Sequence, residues 1–137
     1  MARILAIDYG KKRTGIAVTD PLQIIATGLQ TINSHELIPF LKNYFITEKV
    51  ELIIIGLPLN LDETETHGTA PAKNAIERLQ KAFPQILVKT VDERYTSRMA
   101  VHAMLDMGMK KKDRQVKGNL DVIAATIMLQ TYMEHNQ

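Results

Sequence analysis

The sequence predicts an α/β domain spanning residues 1–137, built on a mixed five-stranded sheet with three antiparallel strands, two parallel ones and helices on both faces. Two patterns predict it. Residues 3–9, 13–19 and 24–32 are rich in Ile, Val, Ala and Thr and are parted only by short turns at Gly10, Lys11 and at Asp20, Pro21. Such segments read as an antiparallel meander. Further on, two apolar runs alternate with stretches of helical periodicity, and βαβ crossovers of that kind require parallel pairing. At 137 residues and 45% hydrophobic content the chain can fill one core but not two.

The later elements follow in order. Ser34 is placed to cap a helix that runs through Leu37, Ile38, Leu41 and Phe45. "ELIIIGLPLN" (51–60) is the continuous apolar run of a strand buried on both faces, ended by Gly56 and Pro58. Residues 60–68 are polar and aperiodic and are expected to form a mobile loop. Thr69 and Pro71 open a second helix to about Phe83, "ILVKTV" is another strand, and Thr96 to about Met107 is a third helix. Asn119 is placed to cap a last helix, with Leu120, Ile123, Ala124 and Ile127 on one face. The expected order is βββαβαβαα.

Composition narrows the function. No cysteine is present, which removes disulfides and thiolate metal sites and fits a reducing cytoplasm. The N-terminal apolar run stops at Asp8, too early for a secretory signal, and the longest aliphatic run, Leu52 to Ile55, is far below membrane-spanning length. A cytoplasmic protein without membrane attachment is expected. The net charge of +2 is uneven: residues 94–117 carry seven bases against two acids, leaving +5 there and −3 elsewhere. That is the footprint of a polyanion binder, although a lysine run also reads as a solvated surface.

Asp8 ends a central strand, Asp92 and Glu93 in "VDER" end the last strand, and Asp121 lies in the first turn of the last helix. Sites in open α/β sheets gather beyond the carboxyl ends of strands. Carboxylates brought together there repel one another unless a cation lies between them, and an all-oxygen set suits Mg²⁺ or Mn²⁺. Such ions can activate water and stabilise the leaving oxygen in phosphodiester hydrolysis. Each acid also has a simpler structural role. Asp8 could cap a turn, Asp121 could favour a helix N-terminus, and Asp92 and Glu93 point to opposite sides if the strand continues. Their joint placement favours the metal site.

Four blocks, "AIDYGKKRTGIAVTD", "IIIGLPLN", "VDERYTS" and "KGNLDVIAA", resemble those of the YqgF/RuvX family, grouped with Holliday junction resolvases in the ribonuclease-H-like superfamily. The resemblance covers nearly the whole chain. It implies a ribonuclease-H-like fold, Mg²⁺- or Mn²⁺-dependent nuclease chemistry, and a part in trimming the ends of pre-16S ribosomal RNA during ribosome biogenesis. It assigns the family's catalytic acids to Asp8, to Asp92 and Glu93, and to Asp121; of the middle pair, Glu93 has the longer reach and is the preferred metal ligand beside Asp8 and Asp121. Unlike the resolvases, the chain has no carboxylate in "LIIIGLP", where Gly56 stands at the strand end.

Within these blocks, Gly10 and Gly15 are expected to serve a tight hairpin turn and close approach by a ligand. Lys11, Lys12 and Arg13 are candidates for phosphate contact near the metals. Asn60 and Arg94 could orient the scissile phosphate, arginine being the bidentate clamp. Arg98, Lys110, Lys111, Lys112 and Lys117 complete the candidate nucleic-acid contacts, and His67 is a weaker candidate for proton transfer. The expected partner is nucleic acid, pre-rRNA or branched DNA. The chain lacks an aromatic stacking platform, so recognition is expected to involve partners such as the ribosomal particle, with the protein a monomer or homodimer. Rival readings are an ATPase of the actin and sugar-kinase type, which needs a second lobe, a binding module that has lost catalysis, and a Holliday junction resolvase acting as a dimer on four-way DNA in recombination and repair.

Overall fold

The computed structural model describes residues 2–57, 69–92 and 117–135. The expected loop over 60–68 and the helix over 96–107 lie outside the described residues. The rest follows the expected order: β1 (Arg3–Tyr9), β2 (Arg13–Thr19), β3 (Ala26–Asn33), α1 (Leu37–Thr47), β4 (Val50–Leu57), α2 (Thr69–Ala82), β5 (Leu87–Asp92) and α3 (Lys117–His135).

The five strands form one sheet in the order β3-β2-β1-β4-β5. β1 pairs antiparallel with β2, and β2 with β3, while β1–β4 and β4–β5 are parallel. Strand alternation divides the core into two layers. Leu5 and Ile7 of β1 join Ile53 and Ile55 of β4 beneath Leu37 and Leu41 of α1 and Ala75 and Leu79 of α2. Ile4 and Ala6 of β1 join Ala17, Leu52 and Ile54 on the opposite face, under Ala125, Met128, Leu129 and Met133 of α3. β4 is thus buried on both faces, as its unbroken apolar run requires.

Four local expectations are corrected. Ser34 does not cap α1: residues Ser34–Glu36 form a 3-10 turn, and the residue before α1, Glu36, makes no side-chain cap. Its hydroxyl serves the β1–β2 turn instead, as described below. Pro39 is tolerated because it falls in the first turn of α1, where its missing N–H has no helical partner to lose. α3 already begins at Lys117, so Asn119 lies inside the helix. The face α3 lays on the sheet is that of Ala124, Ala125, Met128, Leu129 and Met133, with Ile123 and Ile127 only half-buried. β3 starts at Ala26, because Ile24 and Ile25 donate their backbone N–H groups to the Asp20 carboxylate at 2.7 and 2.8 Å and belong to the turn.

Candidate active site

The β1–β2 hairpin positions the candidate site. Asp8 lies in register with Gly15. Since Ile4 and Ala6 face α3, the two-residue period puts Asp8 on that face also. Gly15 has no side chain, and the space a Cβ would fill is taken by α3: it would fall 2.1 Å from the Asp121 carbonyl oxygen and 2.3 Å from the carbonyl carbon. The glycine expected to admit a ligand therefore admits the first turns of a helix. With cross-strand partners ~5.5 Å apart, the Asp121 backbone stands within roughly 9 Å of the Asp8 Cα. Asp8 is half-buried, and the Asp121 side chain is 25% exposed.

Arg13, two residues before Gly15 and on the same face, holds its Nε 3.4 Å from Asp121 Oδ2. The geometry is that of an ion pair rather than a hydrogen bond, since Nε finds no acceptor in hydrogen-bonding alignment. A positive charge thus already stands beside one of the two carboxylates. Arg13, expected to meet phosphate, is engaged inward, while Lys11 and Lys12 at the tip are exposed.

The opposite face of the hairpin is fixed by a chain of hydroxyls. Ser34 Oγ donates to the Gly10 carbonyl, and Thr14 Oγ1 lies 2.8 Å from Ser34 Oγ. A hydroxyl has one proton; with that of Ser34 on Gly10, Thr14 is the donor of the second bond. The Ser34 backbone N–H adds a bond to the Lys12 carbonyl at 3.0 Å. Thr14 and Ser34 are buried at 0% and 3% exposure, so the turn carrying Lys11 and Lys12 is tied to the start of α1 in a dry environment. Sequence reasoning missed this role because a serine before a helical run is the usual sign of a cap.

At the neighbouring strand ends, Gly56 of β4 pairs with Val91 of β5 and Leu57 with Asp92, where β5 stops. Among the described residues no three acidic or histidine side chains stand together as a metal centre; Glu93 lies outside the described residues. Asn60, His67, Arg94, Arg98, Lys110, Lys111 and Lys112 also lie outside, and of Lys117 only the helical backbone is described. No described helix is long and apolar enough to cross a membrane.

The comparisons agree with this architecture. A Thermus thermophilus RuvC in complex with a Holliday junction superimposes with a TM-score of 0.61 over 99% of this chain and 97% of its own, at 12% identity, a likeness of fold. Proteins named "Putative pre-16S rRNA nuclease" match over nearly their whole lengths. That of Flavobacterium johnsoniae is 53% identical over 97% of this chain and 96% of its own, and that of Bacteroides thetaiotaomicron 52% identical over 98% and 97%. The family model described as RuvX, Holliday junction resolvase, matches residues 2–135. The fold is ribonuclease-H-like, and the chain belongs to the RuvX family of phosphodiester-hydrolysing nucleases.

Proposed function

We propose that this chain is a divalent-metal-dependent nuclease that acts in the 5′-end maturation of pre-16S ribosomal RNA, its residues 1–137 forming one catalytic domain. The observation that carries the reading is the contact of Asp121 with Gly15, directly opposite Asp8. It supports two carboxylates from separate elements serving one centre. The substrate class rests on the relatives' name.

The donor set fits a hard cation: both acids are partly open to solvent, their ligand atoms are oxygens, and Arg13 already marks the place as one that attracts positive charge. Asp8, Asp121 and Glu93 would hold Mg²⁺ or Mn²⁺. Glu93 is preferred to Asp92 for its longer reach. The bound ion would supply the charge that activates water and stabilises the leaving oxygen. The chain's residues supply the rest. Asp8 and Asp121 orient the centre from a rigid strand and a helix end, and Lys11 and Lys12 meet the backbone phosphates at the hairpin tip. Asn60 and Arg94 orient the scissile group, and Arg98, Lys110, Lys111, Lys112 and Lys117 follow the strand electrostatically.

A Holliday junction resolvase is the second reading, favoured by the family description. The absence of a carboxylate at the carboxyl end of β4, where Gly56 stands, weighs against it. One experiment separates them. Purified protein is incubated with labelled single-stranded RNA, duplex DNA and four-way junction DNA, with Mg²⁺, Mn²⁺ or chelator. We expect RNA cleavage that needs the metal and that Asp8→Asn lowers by at least ~100-fold. Cleavage of junction DNA alone would establish the second reading, and ATP hydrolysis without any nuclease activity would refute both.

A further inference from the structure

The described large apolar side chains that remain exposed gather at the end of the sheet away from Asp8. Leu22, Ile24 and Ile25 lie in the β2–β3 turn, Ile46 at the end of α1 and Leu87 at the start of β5, all 55% to 78% exposed. β1, β4 and β5 begin at this end because they run parallel.

The β2–β3 turn is built to hold its apolar residues outward. Asp20 accepts the N–H groups of Ile24 and Ile25 and lies 3.2 Å from Ile25 again through its own N–H, which donates to the Ile25 carbonyl. Gln23 adopts φ 57°, a left-handed conformation uncommon for a residue with a side chain. Its amide holds it there by donating to the Ala2 carbonyl at 2.9 Å and to the Glu51 carboxylate. Ile24 and Ile25, at 64% and 63% exposure, then form one wall of a cleft of about 280 Å³, whose other wall is Gln130, Met133 and Glu134 of α3. A stiff knuckle costs less entropy on binding than a flexible loop.

The charges around the cleft select its occupant. Glu134 lines it, and the carboxylates of Asp20 and Glu51 are tied to the adjoining turn through Ile24, Ile25 and Gln23, while Arg3 is engaged by Glu48 at 3.0 Å and by the Thr19 carbonyl at 2.9 Å. Phosphates and anionic lipids are repelled by such a rim, and a second copy meeting it across a two-fold axis would set the same acids against themselves. We propose that the Leu22, Ile24, Ile25 knuckle and the cleft beside Met133 dock a basic protein segment carrying aliphatic side chains. Such a segment belongs to a protein component of the RNA particle on which the nuclease acts. This rests on the ribosomal reading above, and it leaves the basic and catalytic end of the molecule free for RNA.

Binding decides it, measured in Mg²⁺ in an Asp8→Asn background so that RNA stays intact. The probes are purified precursor small-subunit ribosomal particles and the same RNA stripped of protein. The chain should prefer the particle by at least ~10-fold. Ile24→Ser/Ile25→Ser, and separately Glu134→Lys, should abolish that preference and leave stripped-RNA affinity and the melting temperature unchanged, since these side chains are exposed. A preference that survives both variants overturns the proposal, as does a parent chain that binds both probes equally. So does sedimentation showing a dimer that the Ile24→Ser/Ile25→Ser change dissolves. Failure of the nuclease reading is seen separately, as absence of cleavage by the unsubstituted chain.

Discussion

The Asp121 carbonyl occupies the space that a side chain at Gly15 would fill, 2.1 Å from where its Cβ would stand. Backbone cannot rotate away, so Gly15→Ala must shift the start of α3. We expect a loss of ~1–3 kcal/mol in denaturant unfolding, with reduced cleavage, because Asp121 moves relative to Asp8. Gly28→Ala is the comparison: its Cβ would meet the Val122 Cγ1 at 2.4 Å, and a side chain can yield. It should cost less and spare activity. Equal effects of the two would remove Gly15 from any special part in the site.

At the proposed metal site Arg13, which pairs with Asp121, would compete with the cation for that carboxylate. Arg13→Gln removes the fixed charge, so a titration of melting temperature against Mg²⁺ should reach half its rise at a concentration ~3- to 10-fold lower than for the parent chain. The pair is partly exposed, and its own contribution to stability should be no more than ~1 kcal/mol. A Mg²⁺ midpoint that does not move, or that rises, would refute a metal site at Asp121.

The chain of bonds from Thr14 to Ser34 to the Gly10 carbonyl is buried. Ser34→Ala strands two groups and should cost ~1–3 kcal/mol. Thr14→Val with Ser34→Ala should cost less than the two singles added, by ~0.5 kcal/mol or more, since the second change removes a donor the first left unpaired. Strict additivity would mean that the two hydroxyls do not act together.

Asp20 supplies a pH signature. The backbone N–H of Ile25, and after it that of Ile24, hold its carboxyl below the ordinary value of 3.8. A depressed folded value means that the stabilisation is present above 3.8 and is lost as pH falls through the lower, folded value. The melting-temperature gap between the parent and Asp20→Ala should therefore be constant near neutrality and close in acid below that point. A gap that persists unchanged at low pH would show that the turn does not depend on the ionised carboxylate.

Much of this was legible from local pattern. β1, β2 and β4 declare themselves because their apolar residues alternate or run unbroken, and that period survives whatever packs above it. Ser34 and Ile24 were misread for one shared reason, whereas Asn119 is no cap simply because α3 begins two residues earlier. A serine before an apolar run signals a cap, and isoleucine signals a strand, yet each can be recruited by a group distant in sequence or by a nearby carboxylate. Ser34 is taken by Gly10 and Thr14, and Ile24 by Asp20.

The sequence by itself determined the order of the described elements, the antiparallel and parallel halves of the sheet, and the location of Asp8 near a strand end, because these follow from periodicity and turn chemistry within short windows; Asp121, expected in the first turn of the last helix, lies beyond it because α3 already starts at Lys117. It could not determine that Gly15 is the seat of α3, that Arg13 turns inward to Asp121, or that Ile24 and Ile25 are held out beside Met133. Those depend on which residue stands opposite another across roughly a hundred positions of chain, and only close packing of the helix on the sheet brings such partners within contact distance.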